Sequence, residues 1–462
     1  MGDPVGRSKR RRWLIVSSIL LALTLIVGAW WWISSAGFRV SSALEDIDAV
    51  ESFDLRPGER PADAQVLHVE IASSADKAEI NDVLRTAQAI IMEELADSAR
   101  VSLGTADVRL SSVYHVNTSD AAVILTALNS LEDGRAEYDG HSLTFIEGTT
   151  PALLSAPDWL PLIQDEDVSI QNLTAHPEEG FNTLSIDPLQ PNTGQALETL
   201  NEWAPDIEQV EVLGSSMKVT TELPFYELGP LAEDAQSASG MVASEGPWAQ
   251  AEGSDGRILS IVDDTSPQDT LDIAEGIDSE HWQVQRISTN LASIDITAPD
   301  DADVDPSRLS DLADELSSTE LREDATVSVD DGALFEGKNS DLQDLAPTIT
   351  QFAAQGYTVG WAREDRGPGV DARVWVEMPQ DQELTEDEDL EAAIDVARSL
   401  TWPGDAAITL RTNPEGMLST EQKEVTITST TTGTADEVVT DPDHLVSENH
   451  VREAWDATAT DD

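Results

Sequence analysis

The chain has 462 residues and is strongly acidic, with 26 Lys and Arg against 89 Asp and Glu and a formal net charge of −63. A surface of this charge repels phosphate backbones, so we exclude nucleic acid as a partner. The absence of cysteine excludes disulfides, thiolate metal ligands and cysteine nucleophiles. A chain of this length exceeds what one hydrophobic core usually supports, so we expect several domains.

An apolar segment near the N-terminus predicts a membrane-spanning helix. Residues 13–33 (WLIVSSILLALTLIVGAWWWI) carry no charge and are long enough to cross a bilayer. The preceding basic residues 1–12 place the N-terminus in the cytoplasm and the rest of the chain outside the cell. The alternative is a signal peptide cleaved after Ser34-Ser35-Ala36. We therefore predict a single-pass protein of the cell membrane that contacts the lipid bilayer through residues 13–33.

Beyond this segment, residues 34–63 read as a polar linker, and strands and helices then alternate in four quarters. The first quarter, residues 64–148, begins with a strand in which Leu67, Val69 and Ile71 alternate with polar residues. Its other predicted elements are a helix Ile80–Leu95, strands Arg100–Leu103 and Asp107–Val116, a helix capped by Thr118 or Ser119 and ending at Leu131, and a strand Ser142–Ile146.

The second quarter, residues 166–250, has the weakest pattern. Its predicted elements are strand Thr183–Ile186, helix Gly194–Trp203, strands Gln209–Leu213 and Lys218–Thr221, and helix Phe225–Ala238. The third quarter, residues 257–331, has the clearest pattern, because Pro267 and Pro306 stand where helices begin. Its predicted elements are strand Ile258–Val262, helix Pro267–Ile277, strands Trp282–Ile287 and Leu291–Thr297, helix Pro306–Leu316 and strand Thr326–Val329.

The fourth quarter, residues 332–429, follows the same order of elements. They are a strand near Leu334, helix Asp341–Ala354, a hairpin Tyr357–Met378 that turns at Gly367-Pro368-Gly369, helix Glu386–Leu400, and strands Ala406–Leu410 and Val425–Thr428. The acidic residues 430–462 predict a disordered tail with a short helix near Val451–Trp455.

The order βαββαβ in each quarter resembles the ferredoxin-like sandwich, in which two helices cover one face of a four-stranded antiparallel sheet. The predicted fold class is therefore α+β, with an N-terminal transmembrane helix, about four tandem ferredoxin-like sandwiches and a disordered acidic tail. A less regular α+β assembly is the alternative. Thr149–Asp167 and Glu245–Gly256, which are rich in Pro, Gly, Ser and acids, read as linkers between the quarters.

Metal-binding patterns are weak in this sequence. No two histidines have the four-residue spacing that a zinc protease places on one helix. The histidines are His68, His115, His141, His176, His281, His444 and His450. His68 and His115 lie on predicted strands, where a polar strand position explains them better than a metal pair. The acidic stretches 299–306 and 381–391 lack the spacing of a calcium loop, and acids in the first turn of a helix explain both.

Candidate nucleophiles also have structural explanations. Ser74 and Lys77 have the Ser-x-x-Lys spacing of penicillin-binding proteins, but the companion motifs are missing and a helix N-cap accounts for Ser74 and Asp76. Ser254, between Gly253 and Asp255, reads as part of a turn. We therefore name no catalytic, cofactor-binding or metal residue.

The function is predicted by elimination. The preference for Arg over Lys is typical of GC-rich bacteria, so we expect a non-enzymatic scaffold or interaction module of the bacterial cell envelope, with another envelope protein as partner. Two alternatives stay open. One is a hydrolase or transferase of cell-wall material whose site is invisible in sequence, and the other is calcium-dependent adhesion through the acidic surface.

Overall fold

The structure is a computed structural model in which the chain divides into two compact units. Unit 1 comprises Met1–Met217 and Ser237–Glu245, and unit 2 comprises Lys218–Gln236 and Gly246–Asp462. The residues that the structure describes are 24, 42–56, 66–94, 100–105, 107–113, 116–129, 131, 134–147, 152–166, 168, 170–177, 183–190, 192–242, 248–262, 265–299, 302–364, 370–402, 404–412, 424–430, 435–440 and 446–458.

Unit 1 is built from hairpins that are joined by helices. Its strands are β1 (Val50–Arg56), β2 (Val66–Ile71), β3 (Arg100–Gly104), β4 (Val108–Val113), β5 (Gly134–Tyr138), β6 (Ser142–Glu147), β7 (Asn172–Pro177), β8 (Thr183–Asp187) and β9 (Ile207–Leu213). Its helices are α1 (Lys77–Glu94), α2 (Thr118–Leu128), α3 (Ala152–Gln164) and α4 (Thr193–Glu198). The next two elements, β10 (Ser216–Thr221) and α5 (Gly229–Val242), each contain a boundary between the units.

Unit 2 repeats the same plan. Its strands are β11 (Trp248–Glu252), β12 (Ile258–Ile261), β13 (Gln283–Ser288), β14 (Ser293–Thr297), β15 (Thr326–Val329), β16 (Phe335–Lys338), β17 (Thr358–Arg363), β18 (Ala372–Met378), β19 (Asp405–Thr412), β20 (Glu424–Thr430) and β21 (Ala435–Thr440). Its helices are α6 (Pro267–Ile277), α7 (Leu309–Ser317), α8 (Asn339–Ala353), α9 (Asp387–Arg398) and α10 (Glu448–Ala457).

The strands of each unit lie in sequence order. In unit 1, antiparallel hairpins (β1–β2, β3–β4, β5–β6, β7–β8) alternate with parallel pairs (β2–β3, β4–β5, β6–β7, β8–β9), and a helix connects the two strands of every parallel pair. In unit 2 the same alternation runs from β11 to β20, and β21 then adds antiparallel to β20. The repeating element is therefore a hairpin followed by a helix.

This strand order overturns the predicted tandem ferredoxin-like sandwiches. In a ferredoxin-like sandwich a further strand lies between the two parallel strands that a helix connects. Here β12 pairs directly with β13 across α6, and β14 pairs directly with β15 across α7. The element order βαββαβ is common to both arrangements, because it does not specify which strands are neighbours. The sequence pattern therefore predicted the strands and helices but not which strands pair with each other.

The structure does not support the predicted transmembrane helix. No helix among the described residues is long and apolar enough to cross a bilayer. Residues 13–33, on which the prediction depends, lie outside the described part of the chain except for Thr24. The finding contradicts the single-pass membrane placement, because that placement depends on the same helix.

The predicted disorder of the acidic tail is wrong where β21 pairs antiparallel with β20, whereas the short helix predicted near Val451–Trp455 is present as α10. Ser447 caps α10 by accepting a hydrogen bond from the backbone N–H of His450 at 3.3 Å, and the apolar face of α10 includes buried Val451 and Trp455. The Arg398 guanidinium lies 4.2 Å from the centre of the Trp455 ring and donates to the Trp455 carbonyl oxygen at 2.7 Å. Burial of one large indole is enough to hold an acidic helix on α9.

The linker predicted at Thr149–Asp167 contains the helix α3. Pro157 and Pro161 lie inside this helix although proline usually breaks helices. Trp159, Leu160 and Ile163 are fully buried. The Trp159 ring packs edge-on against Phe145 with 5.8 Å between the ring centres. Burial of this apolar face therefore outweighs the two missing backbone hydrogen bonds.

Candidate functional site

Each sheet has one covered and one open face. In β2, Leu67, Val69 and Ile71 are buried while the residues between them are partly exposed, and β19 shows the same alternation along its whole length. Successive side chains of a strand point to opposite faces, so the buried set faces the helices and the other set faces away from them. We call the second surface the open face of each unit and consider the two units separately.

The open face of unit 1 carries rows of polar side chains that are aligned across strands. The row through its middle, which we call the hydroxyl row, consists of Asp54, His68, Ser102, Ser111, Glu137, Thr144, Thr174, Ser185 and Glu211. In the neighbouring row, Arg109 of β4 lies directly beside Arg135 of β5. Two guanidinium groups at paired positions are unusual in so acidic a chain and form a local cationic spot.

Arg109 of this cationic spot affects the pKa of the neighbouring His68. Burial lowers the pKa of His68, and the guanidinium groups of Arg56 and Arg109 lower it further while Asp54 opposes them. Among the residues that the structure describes, the buried Nδ1 of His68 has no hydrogen-bond partner. Close by, Arg100 lines a polar cavity of about 190 Å³ whose other lining residues are Ser111, Glu137, Tyr138, Asp139, Ser142 and Thr144. The polar side chains around this cavity suit contact with a polar surface.

The open face of unit 2 is centred on one aromatic side chain. Trp375 of β18 pairs with Gly360 of β17, and its indole occupies the space above that glycine. A Cβ at residue 360 would lie only 1.9 Å from Cε2 of the indole. The indole N–H donates to the carbonyl oxygen of Ala333 at 3.1 Å. Glycine at this position and one hydrogen bond therefore hold the indole in a fixed place on the open face.

The residues around Trp375 are small or polar. Thr409 pairs with Trp375 on the next strand, and its hydroxyl oxygen lies 3.3 Å from that of Thr426. Arg411 Nη2 lies 2.9 Å from Glu377 Oε2, and Arg373 Nε lies 2.8 Å from Glu364 Oε1. Both nearby cations are therefore already paired with carboxylates.

Two further carboxylates lie on the open face of the strands around this indole. Glu336 of β16 is exposed and aligned with Ala362, and Glu424 of β20 is aligned with Arg411. Within the described part of the chain, neither carboxylate forms an ion pair with Lys, Arg or His. The open face around Trp375 thus has an excess of negative charge beside an aromatic ring.

A third carboxylate on this face is Asp295 of β14. Burial raises the pKa of its carboxyl, the Arg286 guanidinium with Nε 3.7 Å away opposes the rise, and Asp331 and Glu336 add to it. A raised pKa in the folded chain means that the ionised carboxylate destabilises the fold above that pKa. This penalty disappears as the pH falls below the pKa of the unfolded chain.

We therefore expect Asp295→Asn to raise the melting temperature of the full chain at pH 7. The gain should shrink as the pH is lowered from 7 towards the ordinary aspartate pKa of 3.8, because the wild-type carboxyl then takes up its proton in the folded state. Melting curves of both proteins across this pH range measure the effect, with Asp272→Asn, at an exposed position of α6, as the control. A lower melting temperature at pH 7 would show that the ion pair with Arg286 outweighs the burial.

A buried ionic cluster lies elsewhere in unit 2. The side chain of Arg257 is only 4% exposed, and its Nη2 lies 2.8 Å from Asp278 Oδ2 and 3.1 Å from the Tyr226 hydroxyl. Arg257 Nε donates to the Val284 carbonyl oxygen at 2.7 Å, and the guanidinium lies 4.1 Å from the centre of the Phe225 ring. Burial and the hydrogen bond to Asp278 raise the pKa of Tyr226 to about 12. Because its groups satisfy one another, this cluster holds the fold together.

A second cavity, of about 320 Å³, lies in unit 2 between the start of β13 and the loop before α7. Its lining includes His281, Trp282, Asp303, Asp305 and Arg308. Asp305 accepts a hydrogen bond from the backbone N–H of Ser307 at 3.0 Å, which is the capping role expected for acids in residues 299–306. The carboxylates on this cavity therefore act in part as structural caps.

The structure places the candidate nucleophiles in structural roles. Lys77 Nζ lies 2.7 Å from Glu166 Oε1, and Asp76 accepts the backbone N–H groups of Ala78 and Glu79 at the start of α1. Ser254 lies in the turn closed by the hydrogen bond from Gly253 N to the Arg257 carbonyl oxygen. Neither serine is brought into a catalytic arrangement.

Of the histidines considered as a metal pair, His68 lies on β2 and His115 falls outside the described residues. Among the residues that the structure describes, no group of three or more His, Asp or Glu side chains is arranged to hold a metal ion.

Sequence reasoning missed Trp375, although a signal was present. In Ala372–Met378 (ARVWVEM) the small and aliphatic residues alternate inward, which leaves Trp375 on the polar side between Arg373 and Glu377. A large aromatic residue at an outward strand position is a sign of an interaction surface.

Comparisons with known proteins give no family for this chain: no family model matches it, and no curated protein and no solved structure shows significant similarity to it.

Proposed function

We propose that the chain is a non-enzymatic interaction module that binds a partner protein through the open faces of its two units. The observation that carries the proposal is the contrast between the two faces of each sheet. The helices bury one face, while the other presents aligned polar rows, paired arginines in unit 1 and an anchored tryptophan in unit 2. Trp and Arg are the residues that contribute most to protein–protein affinity.

The cavities also favour binding over catalysis. Enzyme pockets for small molecules are commonly about 300–1,000 Å³ and gather reactive groups. The cavity in unit 1, at about 190 Å³, is smaller than this range, and the one in unit 2, at about 320 Å³, is at its lower end; their carboxylates Asp139 and Asp305 accept backbone hydrogen bonds in turns. A broad, polar sheet face suits a protein surface better than a small substrate.

A site-specific photo-cross-linker tests the proposal. We expect a photoreactive amino acid at Thr409, on the open face of unit 2, or at Thr174, on the open face of unit 1, to give a discrete adduct in cells that express the full chain. The matched control is Glu391, an exposed position on α9. The proposal is wrong if Glu391 captures the same partner with equal yield, or if the open-face positions give no adduct while the helix position does.

A further inference from the structure

We infer that the open face of unit 2 around Trp375 binds a Lys- or Arg-bearing segment of the partner protein, with the indole face receiving the cationic side chain. This inference depends on the proposed function, because it names the chemistry that the same surface recognises.

The indole is fixed before any partner arrives. Its N–H is anchored on the Ala333 carbonyl oxygen, and the absence of a side chain at Gly360 gives the ring its place over the neighbouring strand. The adjoining open-face positions on β17 and β19 are Ala362 and Ala407, which are too small to cover the ring. A preformed aromatic surface binds more tightly than a mobile one, because less conformational entropy is lost on binding.

The charge around the ring favours a cation. Arg373 and Arg411 are neutralised by Glu364 and Glu377, so they neither occupy the ring nor repel an incoming positive charge strongly. Glu336 and Glu424 add negative charge, and neither forms an ion pair with a cation among the described residues. An aromatic face flanked by carboxylates attracts guanidinium and ammonium groups and disfavours phosphate or carboxylate ligands.

The whole chain adds to this selectivity. With a formal net charge of −63, its field draws basic partners towards the surface and repels acidic ones. A neutral saccharide also stacks on tryptophan but gains nothing from this field. A basic peptide segment is therefore the occupant that agrees with the ring, the neighbouring carboxylates and the net charge together.

The test measures binding of a fluorescein-labelled peptide of alternating Arg and Gly to the full-length protein at about 150 mM salt. Trp375→Ala is expected to weaken binding about tenfold, in the range of a desolvated cation–π contact. Trp248→Ala removes a different tryptophan of unit 2, which is 38% exposed, and is expected to change the affinity less than twofold. Neither substitution alters the net charge, so non-specific attraction stays the same.

Two further variants guard against misfolding. Gly360→Ala keeps the indole but displaces it, so this variant is expected to weaken peptide binding as Trp375→Ala does. Trp375→Phe keeps an aromatic face and is expected to retain part of the affinity. Equal affinities of wild type, Trp375→Ala and Gly360→Ala would overturn the inference, as would equal losses for Trp375→Ala and Trp248→Ala. Trp375-dependent binding of a neutral oligosaccharide with no such dependence for the Arg peptide would overturn it in favour of a sugar ligand.

The two proposals fail in different ways. If Thr409 cross-links a partner but the Arg peptide binds independently of Trp375, the interaction module stands and its basic recognition is wrong. If the Arg peptide needs Trp375 but cross-linking detects the partner only at Glu391, the cationic site stands and the proposed open-face function is wrong.

Discussion

Replacement of Arg257 by alanine is expected to lower the stability of unit 2 by about 3–5 kcal/mol, which is typical of removing one partner from a buried ion pair. The guanidinium is almost completely buried and satisfies Asp278, the Tyr226 hydroxyl and the Val284 carbonyl oxygen at once. Without it, the Asp278 carboxylate keeps the backbone N–H of Val284 but loses its only countercharge in the cluster. The large effect therefore comes from the charge left behind as much as from the contacts removed.

Hydrogen exchange of the full chain measures this effect, because it reports on unit 1 and unit 2 separately. We expect protection to fall in peptides that contain β12, β13 and the 3₁₀ turn Phe225–Glu227, and to be unchanged in β2 to β8. Arg373→Ala is the control, since its ion pair with Glu364 is exposed and such pairs contribute about 0–1 kcal/mol. Similar losses for the two arginine variants would contradict the structural role of the buried cluster.

Replacement of Trp361 by alanine is expected to destabilise unit 2 by about 3–5 kcal/mol, the usual range for an aromatic residue removed from a core. The Trp361 side chain is 1% exposed and stacks on Phe335 with 5.4 Å between ring centres and 13° between ring planes. Gly337 leaves room for the indole, since a Cβ there would lie 2.5 Å from its Cζ3. The cavity left by alanine cannot be filled by Phe335 alone.

The matched control for Trp361 is Trp375, which lies on the neighbouring strand with the opposite orientation. Chemical denaturation of the full-length variants should show a large loss for Trp361→Ala and a much smaller one for Trp375→Ala, because only the first faces the helices. Equal losses, or a larger loss for Trp375→Ala, would mean that the covered and open faces of β17 and β18 are assigned wrongly.

The individual elements were predictable wherever the sequence pattern is local. Pro267 predicted the start of α6, and in the structure Ser266 caps this helix. The helix ends at Ile277, as its apolar spacing indicates. Strand β15 begins and ends at the predicted Thr326 and Val329. Capping details were less certain, since α2 is capped by Asn117 and not by Thr118 or Ser119. Each of these features depends on a few neighbouring residues.

Elements that depend on distant contacts were missed. Helix α3 carries two prolines and forms because Trp159 and its neighbours are buried, and β11 lies in a stretch whose Gly, Ser and acids suggested a linker. The acidic C-terminal segment was predicted as disordered apart from a short helix near Val451–Trp455, because its composition is polar, yet β21 pairs with β20 there and Trp455 is a buried anchor for α10. Composition averages over a segment, whereas burial of a single side chain decides whether that segment folds.

The candidate site was not predictable as a site, because its parts are far apart in sequence. Ala333, Gly360, Trp375 and Thr409 meet only when β16, β17, β18 and β19 pair in register. The outward position of Trp375 was readable from the strand alternation, but its anchoring over Gly360 was not. The same holds in unit 1, where Arg109 and Arg135 become neighbours through the parallel pairing of β4 with β5.

The sequence by itself determined the acidic character of this protein and the position of most strands and helices, because charge and hydrophobic periodicity are local properties of the chain. Only the tertiary structure decided that each helix joins two strands that lie side by side, which side of each sheet stays open, and which charges there are already paired. Those features follow from strand register and packing between residues distant in sequence, and the periodicity of a single strand or helix carries no information about its neighbours.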